Sequence, residues 1–404
     1  MKVAFVTHYT TLYGANRSLL DLIDGLSVLG VQAFVVVPSD GDFVFALQKR
    51  KIPFLIVAHQ WWASDVTNPE GASNKIIQYM KWRKAVFYRF RKNISLVTLV
   101  ARKFREWDVD VIYTNSSVIP LGALVSLWIG KSHIWHIREF GDLDYQLTYD
   151  WGKYLTNFLF RRAKAQIYNS EAISAHFVTR VLNGKGHTVY NGVLRKDEMY
   201  KLREKVNLKA TKHDKFVFAI VGFIHPNKGQ ATAIRALSVL NDSFSDVELI
   251  IAGDGGDVKY LNDLAMNCGV LEKVKFLGYV ENQYEVFMQS DAVLMCSKYE
   301  AMGRVTVEAM AASKPVIGYK SGGTVELILD EFNGLLYEGG YRELAACMHR
   351  FVERPQWARE MGENGWQIAA DKFTIETYAT KINNIIEAVV NNSAFPVSKC
   401  KGAA

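Results

Sequence analysis

Two glutamates with seven residues between them, Glu300 and Glu308, stand around Gly303 in "SKYEAMGRVTVEAMAASKPVIGY". The apolar run "DAVLMC" before them reads as a strand ending near Ser297. Tyr299 to Gly303 then form a turn, and a helix runs from about Arg304 to Ala312. Glu300 therefore lies in the turn and Glu308 in the second helical turn, where a carboxylate can accept a pair of hydroxyl hydrogen bonds. Two acids so placed suit a polyol, one on a ribose and one on a sugar. Acids near a helix N-terminus also stabilise the helix dipole, by roughly 0.3–1 kcal/mol, so the pair alone leaves both readings open. "VGFIHPNKGQATAIRAL" places Lys228 and Gly229 at another helix start, where ammonium, free N–H groups and dipole together bind phosphate; a surface turn lysine would look the same. "KSGGTVELI" puts Gly322, Gly323 and Thr324 before a further helix, a backbone nest for an anion. "YTTLYGANRSLL" puts Gly14 at the turn after the first strand.

These turns need strands to carry them, and the chain supplies strands almost throughout. "KVAFVTH", "QAFVVVPS", "PFLIVA", "VDVIYTN", "SHIWHI" and "AQIYNS" are apolar or β-branched along their length, as strands buried on both faces are. Amphipathic segments such as "ANRSLLDLIDGLSVLG" alternate with them, which predicts a parallel, doubly wound α/β sheet. After a polar, Lys- and Arg-rich stretch the alternation restarts with "KFVFAIVG", "VELIIAG", "VKFLGYV", "DAVLMC", "PVIGY" and "GLLYEG". The expected organisation is two such domains, residues 1–200 and 201–375, with the boundary near 194–214. A C-terminal helix and a poorly ordered tail from Asn391 occupy 376–404. Ligands of such sheets bind outside the carboxyl ends of the strands, so two domains facing each other would leave a cleft there.

Composition agrees with a two-core globular chain: 404 residues, 49% hydrophobic and 22% charged. "MKVAFVTHYT" has four consecutive apolar residues, short for a signal peptide, and "VIPLGALVSLWIG" falls below the roughly 20 residues that span a bilayer. Cys268, Cys296, Cys347 and Cys400 lie far apart without a CxxC pair, so neither zinc nor a disulfide framework is indicated and a cytoplasmic setting is expected. The net charge of +7 is uneven: residues 1–200 hold 25 Lys and Arg against 16 Asp and Glu, and the remainder 23 against 25. Residues 75–105 carry ten basic residues and no acidic one, interleaved with Trp82, Phe87, Tyr88, Phe90 and Leu96. That pattern suits an anionic membrane surface, and equally a solvated helical pair covering the sheet. No nucleic-acid motif accompanies it.

With those residues in view, the chain resembles the retaining glycosyltransferases of family 4 (glycosyl transferases group 1), which have the GT-B fold. "EAMGRVTVEAMAASKPVI" is similar to their E-x7-E signature, and the likeness extends through "VGFIHPNKG", "LIIAGDGGD", "VKFLGYV" and "FTIETYATKINNII", with looser matches at "YGANRSLLDL" and "HIREF". The resemblance implies a GT-B fold of two Rossmann-like domains facing a cleft, the C-terminal helix crossing back to the N-terminal domain. It implies transfer of a sugar from a nucleoside-diphosphate sugar, of UDP or GDP type, to an acceptor hydroxyl with retention and without a metal. Departure of the diphosphate would be the barrier, stabilised by fixed positive charge and N–H donors. Site roles follow by matching position. Glu308 binds the ribose, Glu300 the transferred sugar, and Lys228 the diphosphate with N–H groups around Gly14 and Gly322–Gly323–Thr324. His136, in "IWHIREF", lies against donor sugar and acceptor, and Tyr279 and Val280 hold the base. The family often carries an arginine where this chain has Phe223, and Arg304 is the candidate replacement for that charge.

The acceptor implied is a glycan or lipid-linked saccharide of bacterial cell-surface assembly, handled in the cytoplasm or at the inner face of the plasma membrane. A GT-B-fold nucleotide-sugar epimerase would share the carboxylates without an acceptor, and a non-catalytic nucleotide-binding protein on a membrane would keep the basic segment alone. "GDGGD", residues 253–257, hints at a dehydrogenase but follows a mid-domain strand and lacks GxGxxG at the first strand. "DLD", residues 142–144, resembles an acidic metal motif but reads as a loop or helix start. No cofactor is expected.

Overall fold

The computed structural model describes residues 1–65, 75–178, 186–208, 215–393 and 395. The chain divides into two compact units, Met1–Asn191 with Glu376–Ala404, and Gly192–Ile375. The expected division at 200/201 falls inside the helix Lys196–Leu208. Leu202 of that helix is buried with Phe287, Val293 and Met295, so the helix belongs to the second unit and the division moves to Gly192. Of the tail, residues 394 and 396–404 lie outside the described residues.

Strands in chain order are β1 Lys2–Val6, β2 Gln32–Val37, β3 Phe54–Ile56, β4 Ala63–Asp65, β5 Val111–Thr114, β6 Ser132–Ile137, β7 Leu147–Tyr149, β8 Ala165–Tyr168 and β9 Gly186–Thr188. The second unit continues with β10 Phe216–Val221, β11 Val247–Ala252, β12 Val274–Gly278, β13 Ala292–Met295, β14 Val316–Tyr319 and β15 Gly334–Tyr337. The first unit's sheet is ordered β3-β2-β1-β5-β6-β8-β9 and the second's β12-β11-β10-β13-β14-β15, with parallel pairing. In both, the chain builds outward one way from a first strand and then returns to build the other way. The reversal lies between β1 and β5 in one unit and between β10 and β13 in the other, and the turns leaving those strands diverge and leave room for a ligand. Each apolar run read from the sequence is one of these strands. The short antiparallel pair β4–β7 and the edge strand β9 were not foreseen; "ASD", "LTY" and "GHT" carry no apolar run to mark them.

The helix Ile375–Val390 places Tyr378, Ala379, Ile382, Ile385, Ile386 and Val389 at three- and four-residue spacing, and all are buried against Val3, Phe5, Val111, Tyr113 and Ile134. Burying an aliphatic side chain of that size contributes roughly 1.5–3 kcal/mol, which is why the last helix returns to the first unit's core. The opposite face of that sheet is aromatic: Trp62 and Trp135 stack with centroids 5.7 Å apart and Phe160 lies 4.5 Å from Trp135. Residues 75–106 form one continuous helix, Lys75–Glu106, where a helical pair was an alternative expectation. No helix among the described residues is long and apolar enough to cross a membrane.

The first unit also buries several histidines. Burial pushes His133 down to about 3, and burial with the nearby Arg138 and His59 does the same to His8; His59 and His136 are lowered too, by burial first. A folded-state value below the unfolded 6.5 means stability that is complete above pH 6.5 and lost as pH falls toward 3. Asp144 acts in the other sense, because burial and the charge of Glu139 hold its carboxyl up to about 7. At pH 5, His8 and His133 each cost about 2 kcal/mol and Asp144 returns about the same once. The thermal midpoint of the first unit should therefore fall between pH 7 and pH 5, measured by unit-resolved hydrogen exchange or calorimetry. A midpoint that holds constant over that interval would contradict the buried, neutral histidines.

Candidate functional site

The reversal in the second sheet brings together the turns after β10 and β13. After β10 the chain passes Phe223 and enters the short turn Pro226–Lys228, where the His225 ring accepts from the Asn227 amide at 3.3 Å. Gly229 follows with φ +75° as the start of the helix Gln230–Asn241. A Cβ there would come within 2.5 Å of the Cys296 side chain, so glycine lets this helix start sit directly against the end of β13. Lys228 thereby reaches Glu300, and its Nζ donates to Oε2 at 2.8 Å. Lysine and glutamate, 72 residues apart, form a half-exposed pair at the reversal point.

The loop carrying Glu300 is held from the far side by the turn after β14. The Gly323 amide donates to the Glu300 carbonyl at 2.8 Å. At Gly322, φ is +56° and a Cβ would stand 2.5 Å from that same carbonyl, while one at Gly323 would run into the Ala301 carbonyl. This corrects the expectation for Gly323: its N–H is engaged by the Glu300 loop, and the glycine pair serves as the close-packed support of that loop. Thr324, at the start of the helix Thr324–Leu327, is wholly buried, and its hydroxyl, like that of Thr306, has no hydrogen-bond partner among the described residues.

Glu308 lies in the helix Arg304–Ala311 and is 2% exposed. Its Oε1 accepts from Arg304 Nε at 2.6 Å, one helical turn away. A polar group this deep needs a hydrogen-bond partner to offset its burial, and the guanidinium supplies one. Arg304 therefore has a partner that the sequence reading did not assign to it. Phe223 is half-exposed, stacks on His225 with centroids 6.5 Å apart, and brings no charge to the site. Tyr279 and Val280 follow β12, two strands from β10. Tyr279 is exposed, and Val280 packs against Val217, Ala219 and Ile250.

In the first unit, Gly14 is the exposed first residue of the helix Gly14–Val28. The loop before it is pinned by buried Asn16, which accepts from the Thr7 hydroxyl at 2.6 Å and donates to the carbonyls of Tyr9 and Thr11 at 2.9 Å each. His136 departs from expectation. It is 0% exposed, with Nδ1 2.6 Å from the Tyr113 hydroxyl and its ring 6.4 Å from that of Tyr378. Side chains alternate along β6, so His136 shares the face of Ile134 toward the last helix, not the open end of the strand. The residues at that end are Arg138 and Glu139, which the sequence reading did not single out. Arg138 donates to Asn115 Oδ1 at 2.7 Å, Asn191 Oδ1 at 2.7 Å and the Tyr378 hydroxyl at 2.9 Å. Glu139 Oε1 accepts from the Ser116 hydroxyl, the Ser117 amide and the Ser117 hydroxyl at 2.6–2.7 Å. Adjacent opposite charges directly after an apolar strand were the available signal. "DLD" is the helix Asp142–Tyr145, whose Asp144 accepts from the amides of Phe140 and Gly141. Among the described residues no group of three or more His, Cys, Asp or Glu could hold a metal ion.

Comparison with known proteins follows this geometry. Residues 13–194 match the model of Glycosyltransferase Family 4 and residues 203–367 that of Glycosyl transferases group 1. An uncharacterized glycosyltransferase of Methanocaldococcus jannaschii is 34% identical over 209 residues, 50% of this chain and 53% of that protein. The N-acetyl-alpha-D-glucosaminyl L-malate synthase of Bacillus anthracis is 27% identical over 210 residues, 51% of this chain and 54% of that one. The chain thus spans about half the length of the curated relatives it matches first. Among solved structures, Anabaena HepE in complex with UDP superposes with a TM-score of 0.75 at 25% identity, covering 96% of this chain and 100% of that one. Two parallel sheets with one order of reversal, a Lys–Glu pair at the second reversal and two family models in sequence agree: the chain belongs to the family 4, group 1 glycosyltransferases.

Proposed function

We propose that this protein is a retaining glycosyltransferase that moves a sugar from a nucleoside-diphosphate sugar to an acceptor hydroxyl without a metal, in the assembly of a bacterial surface glycan or glycolipid. The observation that carries the proposal is the Lys228–Glu300 pair at the reversal of the second sheet. A diphosphate leaving group needs positive charge where its own charge develops. Lys228, half-exposed and already balanced by a carboxylate, supplies it in exchange for only part of its contact with Glu300. Glu300 then accepts from hydroxyls of the transferred sugar. Glu308, with Oε1 taken by Arg304, presents its other oxygen to the ribose; Arg304 acts through Glu308 in this reading and not as the substitute for the charge missing at Phe223. Gly322 lies against the Glu300 carbonyl, and Tyr279 and Val280 border the base. HepE was solved with UDP and with UDP-glucose, which supports a uridine donor here. The deciding experiment offers UDP- and GDP-sugars to the protein in turn, and follows the anomeric configuration of the product by NMR. Release of a free altered sugar nucleotide, with no transfer, would overturn the proposal in favour of an epimerase.

Two outcomes test the residues. Lys228→Ala should lower kcat/KM for the donor about 100- to 1000-fold while the fold, followed by circular dichroism, is kept; a loss under tenfold would remove Lys228 from the leaving-group role. Glu308→Gln should weaken UDP binding in calorimetry about 10- to 100-fold, with Arg304→Ala moving it in the same direction. Unchanged UDP affinity in Arg304→Ala would show that the arginine does not position Glu308. Activity in excess chelator should equal that without it.

A further inference from the structure

The first unit carries a surface whose chemistry the transfer reaction does not use. The helix Lys75–Glu106 is anchored on one side by Asn93, Val97, Val100, Ala101 and Phe104, all buried. Further toward its start, the Trp82 indole donates to the Ser64 hydroxyl at 3.1 Å and Arg89 pairs with Asp150 at 2.7 Å. The other side is open. Met80, Arg83, Lys84, Phe87, Arg91 and Ile94 recur at three- and four-residue spacing, and every one is exposed. Phe87 is 60% exposed, with the Arg91 guanidinium 5.8 Å from its ring.

A second helix has the same composition. Gly152–Arg162 buries Thr156, Leu159 and Phe160, and exposes Lys153, Tyr154, Leu155, Phe158, Arg161 and Arg162. Tyr154 is 93% exposed, and Arg162 lies 5.9 Å from the Phe158 ring. The two helices meet where Phe90 packs on Trp151, centroids 5.0 Å apart, beside the Arg89–Asp150 pair. From Gly152 to Lys164 the sequence has four basic residues and no acidic one. Large rings left in water next to cations, with no acid from Lys75 to Arg105 or from Gly152 to Lys164, match a surface that is anionic outside and apolar just beneath: rings enter the headgroup boundary while Lys and Arg stay at the phosphates.

We propose that the outer faces of Lys75–Glu106 and Gly152–Arg162 together form a docking surface for an anionic lipid bilayer. Charge complementarity selects this occupant over a second copy of the chain, since two such faces would repel each other. The proposal does not rest on the donor chemistry, and UDP affinity in every variant separates the two.

The test is co-sedimentation of the full chain with vesicles of phosphatidylcholine alone and of phosphatidylcholine with phosphatidylglycerol in equal parts. Binding should be confined to the anionic vesicles and weaken as salt rises. Arg83→Glu with Lys84→Glu, and separately Arg161→Glu with Arg162→Glu, should each reduce the partition coefficient at least fivefold per charge removed. Phe87→Ser and Phe158→Ser should abolish the part of the binding that survives high salt. Equal binding to both vesicles, or none to either, would overturn the proposal, as would dimerisation in light scattering that the Phe87→Ser and Phe158→Ser variants abolish. Binding lost in the first charge pair but unchanged in the second would overturn the composite surface. Circular dichroism and UDP titration of each variant exclude misfolding as the cause.

Discussion

The second unit is organised around one constraint: a lysine and a glutamate distant in sequence must meet at the end of a parallel sheet. Neither side chain could bridge the gap if the strands that carry them were not neighbours. β10 and β13 are neighbours because the sheet reverses its direction of growth there. The turns leaving them run to opposite faces and open a space that only side chains at their ends can fill. Lys228 and Glu300 are charged side chains at those ends, and they pair at 2.8 Å.

Holding the pair requires backbone to lie on backbone. Gly229 rests on Cys296, and Gly322 and Gly323 rest on the Glu300–Ala301 carbonyls. Each contact sits where any larger residue would push a turn outward by an ångström or more. A displacement of that size is enough to disrupt an active constellation. The helix behind Glu300 adds Glu308 at 2% exposure, bonded to Arg304 at 2.6 Å. Close-packed glycines and a buried ion pair thus flank the part-buried Lys228–Glu300 pair.

The first unit solves a comparable problem with a buried cation. Arg138 bonds to three neutral oxygens, on the loop after β5, at Asn191 and on the last helix. Charged-donor hydrogen bonds of this kind are worth roughly 1.5–3 kcal/mol each, against several kcal/mol to desolvate the ion. The arginine joins the loop at the first sheet's reversal to the last residue of the unit's first segment and to the helix that returns to it. Three segments far apart in the chain are aligned by one planar group whose donors diverge in fixed directions.

Much of this was legible in the amino-acid order. The apolar runs from "KVAFVTH" to "GLLYEG" mark the long strands because burial on both faces demands unbroken apolarity, and the spacing of Glu300 and Glu308 already places one acid in a turn and one on a helix. The strands β4, β7 and β9 were not legible, because "ASD", "LTY" and "GHT" lack the apolar run that marks even the equally short β3. The partners were not legible either. That His136 faces the core follows from which side of β6 the last helix covers; that the Gly323 amide is engaged follows from the approach of a loop more than twenty residues away in sequence. By itself the sequence determined local conformation and which residue types stand at the strand ends, because these depend on neighbours along the chain. Which charges meet, which are buried and which rings remain in water was decided by the tertiary structure, because these depend on neighbours across it.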